Sequence, residues 1–218
     1  MLAQQPAGGT YAQVAALFCH GRLVAVHCSE QVGIGTGGSA AARVGVDHPL
    51  VREHVTRLGA FLGWHGGLTM DYLHVNGAPR YIECNPRTVE PADAAASGVD
   101  LPRLTIALSR GDALPDSPVV GRPGHRTHSA MALVLGAAEQ GGRLSTLTTV
   151  VTALVGRGPY RGSREVLTPL RHDPLSAVPL VVTALQVLAR PNSVSAIASG
   201  AVRRYAVPAG AVDQARSR

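Results

Sequence analysis

Asp71 and Glu83 lie in two short strand-like runs, residues 67–73 and 80–87, on either side of the turn signal Asn76-Gly77. A hairpin with a three-residue loop puts the two carboxylates directly opposite each other. Like charges facing across a sheet destabilise it, so the pair calls for a cation. Asn85, two residues beyond Glu83, points to the same face and adds a neutral oxygen. Oxygen-only donors suit Mg2+, which binds through one or two carboxylates plus substrate phosphates, and Mn2+ accepts the same donors. The structural alternative is a pair of exposed charges on an edge strand.

The rest of the chain bounds what such a site serves. With 218 residues, 45% hydrophobic and 16% charged, the chain can bury a substantial core and does not read as disordered. The net charge of +6 would fit nucleic acid, but the basic residues are scattered singly, with Arg203-Arg204 the closest pair. No basic run interleaves with aromatics, which argues against nucleic acid and for a small anion such as a nucleotide. All 20 basic residues are arginine and none is lysine. Cys19, Cys28 and Cys84 show no metal-site spacing, and their odd number suggests a reducing cytoplasm. Residues 1–6 carry no signal-peptide pattern, and the longest apolar stretch, about 177–189, is too short to span a bilayer. A cytoplasmic protein without membrane contact is the expectation.

Several elements must position the hairpin. Residues 11–18 and 22–28 read as strands joined at His20-Gly21, followed by a glycine-rich loop at 32–39. Val51, Val55, Leu58 and Leu62 recur at helical spacing, with Asp47 or His48 as cap and Gly63 as stop. Downstream, 101–110 reads as a helix between Asp100 and Gly111, and 115–123 as loop. Residues 129–140, 144–155 and 175–190 read as helices, with a short strand somewhere in 160–174. His20, His27, His48, His65 and His74 show no paired spacing and read as turn or surface residues. Cys84, between two candidate ligands, points to the opposite face and reads as a buried packing residue.

Residues 67–87 resemble the closing motif of the ATP-grasp superfamily: an acidic strand, a turn, then a strand ending in Glu83-Cys84-Asn85-Pro86-Arg87. Upstream, Gln4-Gln5-Pro6 is similar to the family's hinge beneath the adenine, and Gly37-Gly38-Ser39 to its glycine loop. Downstream, residues 97–111 resemble the helix after the motif in carbamoyl-phosphate-synthase-like and biotin-carboxylase-like members. The likeness covers roughly residues 1–112.

That resemblance implies an α+β fold, the C-terminal half of an ATP-grasp domain with an antiparallel sheet and packed helices. The implied division is 1–112 for the partial domain, 113–207 for a mostly helical extension and 208–218 for a flexible tail. It implies an ATP- and Mg2+-dependent carboxylate–amine ligase acting through an acylphosphate on a small carboxylate. Asp71, Glu83 and Asn85 would hold Mg2+ or Mn2+. Arg87 would meet the transferred phosphoryl group, unless it only pairs with Glu90. Gln4, Gln5, Gly37, Gly38 and Ser39 would touch the nucleotide. The family's phosphate-gripping lysines have no counterpart here, so the chain by itself is expected to be inactive: a truncated piece, or one part of a split enzyme completed by a missing N-terminal half or separate subunit. The alternative is a non-catalytic partner or regulatory subunit that keeps the same surface.

Overall fold

The computed structural model describes residues 8–170, 172–197 and 199. Its centre is one mixed sheet. β1 (Thr10–Cys19), β2 (Arg22–Ile34), β3 (Ala40–Val46), β4 (Gly66–Val75) and β5 (Ala78–Asn85) are joined by β6 (Val119–Val120), β7 (Arg126–His128) and β8 (Ser163–Glu165). The order is β5-β4-β1-β2-β3-β7-β8, with β6 attached to β2. The first five strands pair antiparallel, while β6 on β2 and β8 on β7 are parallel.

The α+β class expected from the sequence is what the chain adopts, with a sheet that is mixed rather than purely antiparallel. The boundary expected at residue 112 runs across this sheet, because β6, β7 and β8 all come from beyond it. The strand expected over 22–28 is longer: β2 continues to Ile34, into the stretch expected as a glycine-rich loop, with register shifts between Gln31 and Ile34 where Gly33 enters.

Alternation along β1 sorts the core. Ala12, Val14, Ala16 and Phe18 face α1 (Pro49–Leu62), whose Val51 and Val55 complete that layer with Tyr72. Ala15 and Leu17 face α2 (Pro91–Ala96) and α3 (Leu101–Arg110), packing with Ala94, Leu101 and Leu104. The caps read from the sequence at α3 are present: Asp100 accepts from the Arg103 N–H at 3.0 Å, and Gly111 ends the helix at φ 71°. The two helices expected at 129–140 and 144–155 form one element, α4 (Ala130–Leu154), broken at Gly142, where φ is 64° and ψ −146°. α5 (Ala177–Ala189) packs on it through Ala138 and Val187.

Gly59 shows how tightly α1 approaches the sheet. A Cβ there would lie 2.1 Å from Cε1 of Phe18, a fully buried ring. Glycine costs a helix interior about 1 kcal/mol relative to alanine, yet here it is the residue that fits. Gly59→Ala is therefore expected to lower stability by roughly 1–3 kcal/mol despite the better helix former. Urea denaturation checks this, and a stabilised variant would refute the close approach.

Candidate metal centre

The β4–β5 hairpin closes through a two-residue loop, Asn76-Gly77, with φ of 48° and 82°. Both positive values are what a type I′ turn needs, and Asn-Gly supplies them. The expected three-residue loop is thus corrected to two. Pairing runs from Val75↔Ala78 to Tyr72↔Tyr81, then shifts so that Ile82 is left as an extra residue. Beyond this bulge Asp71 faces Glu83 and Thr69 faces Asn85. The bulge restores the opposition that the shorter loop would have lost.

The three oxygen donors share one face at the sheet margin. Asp71 is buried, and Gln13 on β1 donates to its Oδ1 at 2.9 Å, which fixes the rotamer. Glu83 is exposed on the edge strand and Asn85 half-buried, and neither side chain is engaged in a hydrogen bond among the described residues. Burial, then the negative charge of Asp71, pushes the neighbouring Tyr11 hydroxyl up to about 12, so it faces the site as a neutral group. This donor set fits a small hard cation: one anchored carboxylate, one free carboxylate and one amide oxygen. Cys84 points to the other face as expected, but it is exposed rather than buried, because α1 does not reach over β5 at that point.

Thr69 positions the segment that leaves the hairpin. Its hydroxyl donates to the Arg87 carbonyl at 2.9 Å and accepts from the Val89 N–H at 3.1 Å. The Arg87 side chain is exposed beside the ligand strand. Glu90 does not pair with it. Instead Glu90, held at φ 49°, accepts from Nε of Arg43 at 2.8 Å and from Nη2 at 2.8 Å. A non-glycine residue in that region is strained, and the bidentate arginine is what holds it there. Arg43 is buried on β3, and its Nη1 has no hydrogen-bond partner among the described residues.

Further along the same face, His27 Nε2 lies 2.9 Å from Oδ2 of Asp93, and the Thr127 hydroxyl donates to Oδ1 at 2.6 Å. Burial alone would push Asp93 up. The hydrogen bond and charge of His27, with bonds from Thr127 and Ser29, override it and hold the carboxyl below the usual range. His27 is therefore a buried partner, not the turn or surface residue read from the sequence. Sequence reasoning missed Arg43, Asp93 and Thr127. The one local signal was an arginine amid the small residues of 40–46.

Gly37 and Gly38 lie in the 3-10 turn Thr36–Gly38 between β2 and β3, and Ser39 caps it. Their N–H groups are committed within the chain: Gly37 to Glu139 at 2.8 Å, Gly38 to the Gly35 carbonyl, Ser39 to the Thr36 carbonyl. Gln4 and Gln5 lie outside the described residues.

No family model matches the chain, and no curated protein matches it. Among solved structures, it is similar to the biotin carboxylase domain of a thermophilic 2-oxoglutarate carboxylase bound to bicarbonate. That match has TM-score 0.42 and 18% identity, over 50% of this chain and 27% of the other. The same domain from Hydrogenobacter thermophilus, with MgADP, ADP and bicarbonate, matches with TM-score 0.43 and 18% identity, over 54% and 28%. A variant of Rhizobium etli pyruvate carboxylase, solved with the allosteric activator acetyl coenzyme A, gives 0.43 and 17%, over 54% and 13%. The chain thus spans less than a third of each of these structures. No helix among the described residues is long and apolar enough to cross a membrane.

Proposed function

We propose that Asp71, Glu83 and Asn85 hold the Mg2+ of an ATP site, and that the chain forms the metal-binding part of an ATP-grasp ligase. The observation that carries this reading is the Asp71–Glu83 opposition, restored by a bulge and backed by Gln13. Phosphoryl transfer is mostly positioning and charge neutralisation, so a cation held by these three residues would supply charge neutralisation at the phosphates. Within the chain, Gln13 orients Asp71 and Thr69 fixes the backbone from which Arg87 reaches toward the transferred group. Arg87, a planar five-donor cation, would meet the phosphoryl oxygens or the substrate carboxylate. On this reading the γ-phosphoryl group of ATP would pass to a carboxylate oxygen with ADP as the leaving group, and an amine or similar nucleophile would then displace phosphate from the acyl carbon. Gly37–Ser39 and the hinge glutamines Gln4 and Gln5 would border the nucleotide.

These 218 residues contain no lysine, and on this reading the phosphate-gripping cations belong to a missing N-terminal half or to a separate subunit. Mn2+ serves as the probe. Its binding to the intact chain, read by electron paramagnetic resonance, is expected to be weak and to tighten when ATP is added. Asp71→Asn should weaken it at least about tenfold, by analogy with loss of a metal-site partner. Equal Mn2+–ATP binding by wild type and variant would overturn the metal assignment. Catalysis is read as phosphate release from Mg–ATP over a panel of small carboxylates, with a lysine-bearing complement bound. No release above the buffer blank would leave the non-catalytic partner as the better reading.

A further inference from the structure

The opposite face of the sheet carries a second group of metal-ligating side chains, of different chemistry from the hairpin. Glu30 on β2, His48 at the start of α1 and His74 on β4 come together there. His48 Nε2 and His74 Nδ1 each lie 3.4 Å from the same oxygen, Oε1 of Glu30. All three ligand atoms lie within 4.8 Å of one another. Two ligands of a tetrahedral zinc ion, each about 2.0–2.1 Å from the metal, are separated by about 3.3 Å. The spacing is that of ligands around an ion, and longer than that of a strong hydrogen bond.

The surroundings are those of a built site. His48 Nδ1, the ring nitrogen facing away, lies 2.8 Å from the Tyr72 hydroxyl, and Tyr72 is fully buried. A ligating histidine is commonly held by just such a bond from its second nitrogen. The His48 and His74 rings stack with centroids 3.7 Å apart and planes 30° from each other, so one ring turns out of the stack when both nitrogens point at a single ion. Glu30 forms no other side-chain hydrogen bond among the described residues, so its carboxylate is free for a metal. All three side chains are partly buried and within reach of solvent.

We propose that Glu30, His48 and His74 form a divalent transition-metal site of the zinc class, with two imidazole nitrogens, one carboxylate oxygen and a fourth position for water. Such an ion ties the start of α1 to β2 and β4, three segments joined here by no covalent link. The donor set separates it from the hairpin: imidazole favours zinc, cobalt or copper, whereas Asp71, Glu83 and Asn85 offer oxygen alone to a harder ion. A second group, Cys19, His20 and His65, is a competing candidate. Its histidines are exposed, and no hydrogen bond among the described residues holds either ring.

Co2+ titration of the full chain tests the proposal, with visible absorption reporting geometry and a thermal scan reporting stabilisation. One equivalent is expected to bind with the spectrum of a four-coordinate nitrogen–oxygen site and to raise Tm. His74→Ala and Glu30→Gln should each weaken binding about 100-fold or more. Tyr72→Phe keeps the buried ring and removes only the hydroxyl, and should cost about 10-fold. His74→Gln serves as the milder ligand variant if His74→Ala fails to fold. The proposal is overturned if wild type binds no Co2+ at micromolar concentration. It is equally overturned if the His74 and Glu30 variants bind normally, or if a thiolate charge-transfer band appears and is lost in Cys19→Ser.

Discussion

Asp93→Ala is expected to cost roughly 3–5 kcal/mol, because it leaves two buried groups, His27 and Thr127, without their acceptor at about 1–3 kcal/mol each. For a chain of this length that corresponds to a fall in Tm of roughly 6–20 °C. Asp93 lies on α2, a helix of six residues that is too short to be stable by itself. What holds it is Ala94 in the core and the Asp93 carboxylate between His27 and Thr127. Alanine would strand His27 in a buried position while freeing the helix. The same helix begins at Glu90, so its loosening also releases the partner of Arg43. Denaturation of Asp93→Ala beside the exposed control Asp112→Ala measures the effect, and equal costs for the two would refute it.

The pH dependence of this pair has a definite sign. The native Asp93 carboxyl titrates below its ordinary value, so the unfolded chain takes up the proton first as pH falls. The stabilisation is complete above about pH 4, the unperturbed aspartate value, and is lost as pH falls through the native value below it. Acid unfolding monitored in wild type and Asp93→Asn should therefore converge at low pH. Curves that stay parallel from neutral pH downward would place the stabilisation elsewhere.

Local grammar made some of this legible and long-range pairing hid the rest. The α1 and α3 helices carry their own period, caps and stops, and each was readable to within a residue or two. The hairpin was readable because Asn-Gly has a turn type of its own. Its register was a different matter: a two-residue loop and a bulge at Ile82 combine to the pairing that a three-residue loop would have given directly. Nothing in the residues 78–85 announces the bulge. β3 was missed because Ala40, Ala41, Ala42 and Gly45 lack the β-branched residues that mark strands, and it forms only because β2 and β7 flank it. The polar networks were unreadable for a related reason. His27 and Asp93 are 66 positions apart, and Arg43 and Glu90 47, so no local spacing links them. The histidines were judged by neighbours in sequence, whereas His48 and His74 meet only after β4 lies beside β1 and α1 crosses them.

A carboxylate pair that exists for a ligand should be a liability without it, which gives Glu83→Gln two effects of opposite direction. In the metal-free chain, glutamine removes the like-charge opposition with Asp71 while keeping size and strand register. Stability should rise by roughly 0.2–1 kcal/mol, the scale of a cross-strand pair. Glu83 is exposed and has no hydrogen-bond partner among the described residues, so little is lost in exchange. Mn2+ affinity should fall about 10- to 100-fold at the same time, since one of two anionic donors is gone. Glu83 is the cleaner choice over Asp71, whose replacement also disturbs the 2.9 Å bond from Gln13. Urea denaturation in chelator and Mn2+ titration by electron paramagnetic resonance read the two effects separately. An edge-strand charge with no ligand predicts the first effect alone. A residue that merely supports packing predicts neither, and a loss of stability in chelator would place Glu83 in that role.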